Sequence, residues 1–152
     1  MVLSNGKSSE ERSLENGVSV ISIDLCLNYQ HSPGIVLVAD PNCPGKVLNK
    51  AAGLFQSFGK QVSLIKDIPG MVLTRMVAML VNEASMLVEE EVADSEDINL
   101  AMKKGVNYPL GSLEWGNLWG YNSVVETLEN LFYEYGERYR VSSWLEQKKK
   151  IR

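Results

Sequence analysis

Side chains able to do chemistry are few in this 152-residue chain, and most stand far apart. The single histidine, His31, lies in the turn-like stretch YQHSPG with no nucleophile at a recognisable spacing, so a solvated turn is expected ahead of a base or a metal ligand. Cys26 and Cys43 sit in unlike contexts without CxxC spacing, which gives neither a disulfide framework nor a metal cage and suggests two reduced thiols. The trio Glu89, Glu90 and Glu91 resembles paired carboxylates only on paper, because adjacent helical residues point to different sides; a solvated helix end is expected. More informative is LIKDIPGMVLTRMVAML, residues 64 to 80, where Thr74 and Arg75 stand among apolar neighbours. Glu83 follows Arg75 by about two helical turns on roughly the same face. With Asn82, it is expected to form a structural ion pair or an interface hydrogen bond rather than a catalytic pair. Trp115 and Trp119, at i and i+4, mark packing.

Several reaction classes lose their usual signatures. The chain contains no HExxH, no GxSxG and no Walker loop. It also lacks GxGxxG, the glycine-rich turn that would bring a dinucleotide phosphate onto a helix N-terminus. A formal charge of −4 argues against a nucleic-acid surface, which needs concentrated positive charge. Only the tail EQKKKIR is locally basic, as cations at a helix C-terminus would be. No apolar run approaches the roughly 20 residues of a membrane span, and the N-terminus lacks the order of a secretory signal, so a cytoplasmic protein with no membrane partner is expected.

The elements that must position these residues change character near residue 69. Before it, VSVISIDLCL (18 to 27), GIVLVAD (34 to 40) and QVSLIKD (61 to 67) read as strands. Between the last two, Val47, Leu48, Ala51, Leu54, Phe55 and Phe58 recur at helical spacing up to Gly59, giving a strand, a crossover helix and a parallel strand. A short helix is expected over 8 to 17. From Met71 to Glu91 the apolar stripe is too wide for a helix with one solvent face, which predicts a central helix or one covered by a partner. Asp94 should cap the next helix. Asn122 is placed to cap a helix carrying Val124, Val125, Leu128 and Leu131. The glycine-bearing NYPLGSLEWGNLWGY between them is expected to be a packed corner, and SSWLEQKKK a last helix anchored by Trp144 and Leu145.

Taken together, Gly59-Lys60, the Asp-x-Pro-Gly of Asp67 to Gly70, Asn82-Glu83-Ala84, Val92 to Met102 and the corner from Gly105 to Gly111 resemble, in order, the C-terminal helical part of the 3-hydroxyacyl-CoA dehydrogenases. Ser4 to Lys7 and Val20 to Leu25 are similar to the shortened second copy found in the duplicated enzymes of phenylacetate-type degradation. The resemblance implies an α+β, mostly α fold. Residues 1–68 would form a reduced Rossmann-like α/β segment, and 69–152 a helical domain like the 6-phosphogluconate dehydrogenase C-terminal domain. It implies an oxidoreductase parent of fatty acid metabolism, or β-oxidation, that converts a 3-hydroxyacyl-CoA such as 3-hydroxybutyryl-CoA to its 3-oxo form with NAD. This chain would be a C-terminal piece that binds no cofactor, contributing a dimerisation surface and one wall of an acyl-CoA pocket. Catalytic members use a Ser, a His with a Glu partner, and an Asn in PGF-x-x-N-R; here the Asn position is Thr74 and the His-Glu segment is absent. Thr74 is therefore the one substrate-binding candidate, no catalytic or metal-binding residue is expected, and hydride transfer by this chain alone is not expected. The partner would be a second copy or an upstream NAD-binding domain. A free-standing helical dimerisation or scaffold module derived from the same family is the alternative.

Overall fold

A computed structural model describes residues 1–149, so Lys150, which the sequence assigns to the last helix, and the rest of the basic tail lie outside the described residues. The chain folds as two compact units, Met1–Thr74 and a second that begins at Arg75.

The first unit is a four-stranded sheet in the order β1-β2-β3-β4, with β1 at Val2–Leu3, β2 at Ile21–Ile23, β3 at Gly34–Ala39 and β4 at Gln61–Leu64. Helix α1 (Ser9–Asn16) connects the parallel pair β1 and β2, and α2 (Gly45–Ser57) connects the parallel pair β3 and β4. Strands β2 and β3 join the two halves of the sheet antiparallel, Ser22 opposite Val38. The two-residue β1 carries no period-2 signal and was not legible as a strand. The run VSVISIDLCL contributes only Ile21–Ile23 to strand, because the Leu25 amide turns to side chains, donating to Asp24 Oδ1 at 2.8 Å and Thr74 Oγ1 at 3.2 Å. Ile21, Ile35, Leu37 and Ala51 form the core of this unit. Of the apolar stripe expected on α2, only Ala51 is fully buried, whereas Val47, Leu54 and Phe58 are exposed.

Helix α3 (Leu73–Glu89) begins two residues later than its apolar pattern suggests. Gly70 and Met71 are both left-handed, at φ 76° and 49°, a conformation a methionine rarely adopts, and they turn the chain sharply before the first helical turn. The second unit continues through α4 (Ser95–Gly105), α5 (Ser112–Trp119), α6 (Tyr121–Tyr135), a 3₁₀ turn at Glu137–Tyr139, and α7 (Ser143–Lys149). As expected, Asp94 caps α4, its Oδ1 accepting from the amides of Glu96 and Asp97 at 2.9 Å each. The packed corner contains a helix of its own, α5. Its close fit is visible at Gly116, where a Cβ would lie 2.7 Å from Val81 and 2.9 Å from the Tyr121 ring. At Gly111 a Cβ would lie 2.2 Å from the Asn99 amide oxygen, which accepts from the Leu113 and Glu114 amides and so caps α5 from α4. Helix α6 is capped at Gly120 (φ 92°) rather than at Asn122, which falls inside the first turn. Val77, Ala78, Val81, Val124, Val125, Leu128, Leu131 and Leu145 form a close-packed interior in this unit.

Candidate functional site

Thr74 is fully buried, and its hydroxyl is engaged within the chain. It donates to Asp24 Oδ1 at 2.8 Å and accepts from the Leu25 amide at 3.2 Å. Asp24, itself buried, also accepts from the Thr74 amide at 2.9 Å through Oδ1, and from the Val72 and Leu73 amides at 3.1 and 2.8 Å through Oδ2. These are the amides a helix leaves unpaired at its start, and a carboxylate there also meets the positive end of the helix dipole. A residue about fifty positions away thus caps α3, a role the sequence did not reveal because N-cap rules are local. The nearby Tyr29 hydroxyl donates to the Asp24 backbone oxygen at 2.8 Å, and burial, with Cys26 and Asp24 close by, pushes its pKa up to about 12.

The same device appears at α1. The Ser9 and Glu10 amides donate to the two oxygens of Asp67 at 2.8 and 2.9 Å, and Ser8 Oγ accepts from the Glu11 amide at 3.1 Å. In the β3–α2 turn, buried Asp40 accepts from the Val20 and Asn42 amides at 3.1 and 2.9 Å. A dinucleotide bound in this sheet would have to bring its phosphates to these strand-to-helix turns. At α1 the Asp67 carboxylate repels phosphate and occupies the first amides it would need, and in the β3–α2 turn the Asp40 carboxylate sets a second negative charge in its way. The residues present do not fit a dinucleotide.

Within the second unit, α3 lines an apolar cavity of about 350 Å³ together with the loop and turn residues Tyr108, Arg138 and Tyr139; from α3 come Arg75, Met76, Met79, Leu80 and Glu83. Arg75 donates to the Tyr135 hydroxyl at 3.1 Å and lies 4.8 Å from the centre of that ring, so its head group is held in a defined direction. Arg75 and Glu83 thus share one cavity. Asn82 faces inward instead: its amide donates to the Arg140 carbonyl at 2.9 Å and accepts from the Ser142 amide at 3.0 Å, fastening the segment that leads into α7.

His31 is exposed in a turn, its amide donating to Asn28 Oδ1. Glu89 is not merely solvated, since its Oε2 accepts from the Ser143 amide at 3.1 Å and the Trp144 amide at 3.4 Å at the start of α7. Cys26 and Cys43 are free thiols, half-buried, and burial raises the pKa of Cys43. Among the described residues no group of three or more His, Cys, Asp or Glu could hold a metal ion, and no helix is long and apolar enough to cross a membrane.

Comparison with known proteins gives two adjoining family matches. Residues 1–69 match the 3-hydroxybutyryl-CoA dehydrogenase reduced Rossmann-fold domain, and residues 70–151 match the 3-hydroxyacyl-CoA dehydrogenase C-terminal domain. Over 106 residues the chain is 45% identical to 3-hydroxyadipyl-CoA dehydrogenase of Escherichia coli K12, covering 69% of this chain and 22% of that protein. It is 34% identical over 84 residues to 3-hydroxybutyryl-CoA dehydrogenase of Clostridioides difficile, covering 55% of this chain and 30% of that one. The crystal structure of 3-hydroxybutyryl-CoA dehydrogenase from Escherichia coli K12 superimposes with a TM-score of 0.91 at 35% identity, over 97% of this chain and 31% of that chain. The chain therefore spans less than a third of the length of each of these relatives.

Proposed function

Since this chain belongs to the 3-hydroxyacyl-CoA dehydrogenase family, we propose that it is the non-catalytic C-terminal portion of an NAD-dependent 3-hydroxyacyl-CoA dehydrogenase, supplying assembly surface and one wall of the acyl-CoA pocket to an upstream nucleotide-binding domain. The observation that carries this reading is the state of its helix entrances. Asp67 fills the N-terminus of α1 and Asp24 that of α3, so neither is open to a phosphate, and the one hydroxyl at the family's substrate-contacting position is spent on Asp24. Thr74 accordingly acts as the anchor of the helix that forms the pocket wall. NAD, which accepts the hydride in the whole enzyme, is assigned to the upstream domain together with the base that takes the substrate's hydroxyl proton. That the chain covers less than a third of its relatives supports this division of labour. A place in β-oxidation or phenylacetate-type degradation, in the cytoplasm, belongs to the same proposal.

The test is direct. The 152-residue chain mixed with NADH and acetoacetyl-CoA should show no turnover above background, whereas calorimetry against CoA thioesters should show weak binding. Turnover at ordinary enzyme rates would overturn the reading. A complete lack of thioester binding would remove the pocket wall and leave a free-standing scaffold module, the alternative favoured by the open apolar cavity on α3.

A further inference from the structure

The outer side of α2 combines free cations with uncovered apolar side chains. Leu48, Ala51 and Phe55 turn to the sheet and pack in its core. Val47, Leu54 and Phe58, at i, i+7 and i+11, share another face with Lys50 at i+3, and the three apolar residues are 47, 46 and 72% exposed. Lys46, one turn before Lys50, borders the same face. Between Asp40 and Asp67 the sequence holds Lys46, Lys50, Lys60 and Lys66 and no carboxylate, in a chain whose formal charge is −4. Among the described residues Lys46, Lys50 and Lys66 pair with no carboxylate, whereas Lys60 donates to the Ser32 carbonyl at 2.8 Å.

The acidic side of this unit lies across the sheet. Ser9 Oγ bonds to Ser22 Oγ at 2.8 Å, while Ile21, which points to the other face of β2, packs with Ala51 of α2. Helix α1, with Glu10, Glu11 and Glu15, therefore covers the face opposite α2, and the sheet divides the charge. The order of residues on α2 identifies the kind of surface it meets. Protein interfaces are depleted of lysine at their centres, yet Lys50 stands within the stripe, between Val47 and Leu54. At a bilayer surface that order is favourable, because a lysine stem can lie along the apolar boundary while its ammonium reaches the phosphates. A helix lying in that plane needs no run long enough to span, so the lack of a spanning helix among the described residues does not bear on such a contact.

We propose that α2 docks this chain reversibly on an anionic lipid surface, with Val47, Leu54 and Phe58 entering the headgroup boundary and Lys46 and Lys50 meeting the lipid phosphates. Lys66 adds to the local positive field. The acidic α1 then faces away from the bilayer, which gives the contact one orientation. This docking does not depend on whether the helical unit lines an acyl-CoA pocket.

Sedimentation with sucrose-loaded vesicles tests this on the whole 152-residue chain. At low salt the chain should partition onto vesicles of mixed phosphatidylglycerol and phosphatidylcholine at least about tenfold more strongly than onto phosphatidylcholine alone, and about 0.5 M salt should release it. Lys46→Glu combined with Lys50→Glu should weaken the partition at least about tenfold, and Phe58→Ser at least about threefold. Leu14→Ser, which removes an exposed apolar residue from α1, should leave it unchanged. In a background of Cys26→Ser and Cys43→Ser, an environment-sensitive dye on the thiol of Phe58→Cys should shift to the blue on anionic vesicles, and the same dye on Glu10→Cys should not. The dye arm does not depend on the charge reversals folding, and circular dichroism reports the fold of every variant. Equal partition onto neutral vesicles, an unchanged partition in Phe58→Ser, or an equal blue shift at positions 10 and 58 would overturn the proposal. No partition onto anionic vesicles would overturn it as well, leaving the stripe to an acidic protein surface and the non-catalytic reading intact.

Discussion

Both units tie helix starts to side chains, but they differ in how much core stands behind those ties. In the α/β unit, α2 buries only Ala51 fully, and α1 and the start of α3 are held through carboxylates of distant residues, Asp67 and Asp24, each accepting from successive backbone amides. In the helical unit Ala78, Val81, Val124, Val125, Leu128, Leu131 and Leu145 are completely buried, and α5 approaches α3 closely enough that Gly116 has no room for a Cβ. A thin core leaves helix ends as the strongest available attachment points, since a hydrogen bond to an ionised group is about twice as strong as a neutral one. The helical unit has comparable caps, from Asp94 on α4, Asn99 on α5 and Glu89 on α7, but a dense core stands behind them, and shape weighs more in its stability. The α/β unit should therefore respond most to changes of charge and hydrogen bonding, and the helical unit to changes of volume.

The largest effect is expected at Asp24. Asp24→Ala leaves the Val72, Leu73 and Thr74 amides and the Thr74 hydroxyl without their acceptor, and the Leu25 amide with Thr74 Oγ1 alone. It should cost about 3–5 kcal/mol, seen in urea unfolding and, by hydrogen exchange, as lost protection at the start of α3 and along β2. Uniform loss of protection across α5 and α6 would break the comparison, because the clamp would then support the dense unit too. Next comes Gly116→Ala, which must push Val81 and Tyr121 aside. About 2 kcal/mol is expected, confined to α5, α6 and the part of α3 they touch. Thr74→Val keeps the volume and removes both hydroxyl hydrogen bonds, for a smaller loss of about 1.5 kcal/mol. If Gly116→Ala were neutral while Thr74→Val was severe, volume would not be what governs the helical unit.

How much of this was legible in the sequence follows the same division. Periodicity read the β3–α2–β4 crossover, the long apolar α3, the Asp94 cap and the Trp144–Leu145 anchor, because each depends on residues close together in the chain. Strand β1 was missed because two residues carry no pattern, and α5 because its glycines, at 111 and 116, look like loop formers when their role is to admit neighbouring side chains. At the candidate site, Thr74 was identified as a position by resemblance, but its partner was not, since nothing local in VISIDLCL marks Asp24 as the cap of a helix that starts at residue 73. The stripe of Met76, Met79, Leu80 and Glu83 was visible as excess apolar surface. Only the fold shows that Val77, Ala78 and Val81 are covered internally, whereas Met79 and Leu80 are half-buried and Met76 and Glu83 exposed.

Tyr29 offers the smallest effect and the most specific check on the polar half of the comparison. Its hydroxyl donates to the Asp24 backbone oxygen at 2.8 Å, and burial is the main reason its pKa rises to about 12 from an ordinary 10.0. The folded state therefore keeps a proton that the unfolded chain releases near pH 10. Between pH 10 and 12 the unfolded state binds fewer protons, so stability falls as pH rises; the contribution is complete below pH 10 and gone above about 12. Tyr29→Phe should cost about 1 kcal/mol at neutral pH. It should also flatten the alkaline decline of the amides around Asp24 and the start of α3. Tyr121, whose pKa burial also raises, lies in α6 and supplies an internal control, because the decline of the helical unit should be unaltered by the change at Tyr29. If Tyr29→Phe and the unaltered chain lost stability in parallel through this range in both units, the hydroxyl would have no part in holding Asp24, and the polar clamp would reduce to the carboxylate and the groups that donate to it.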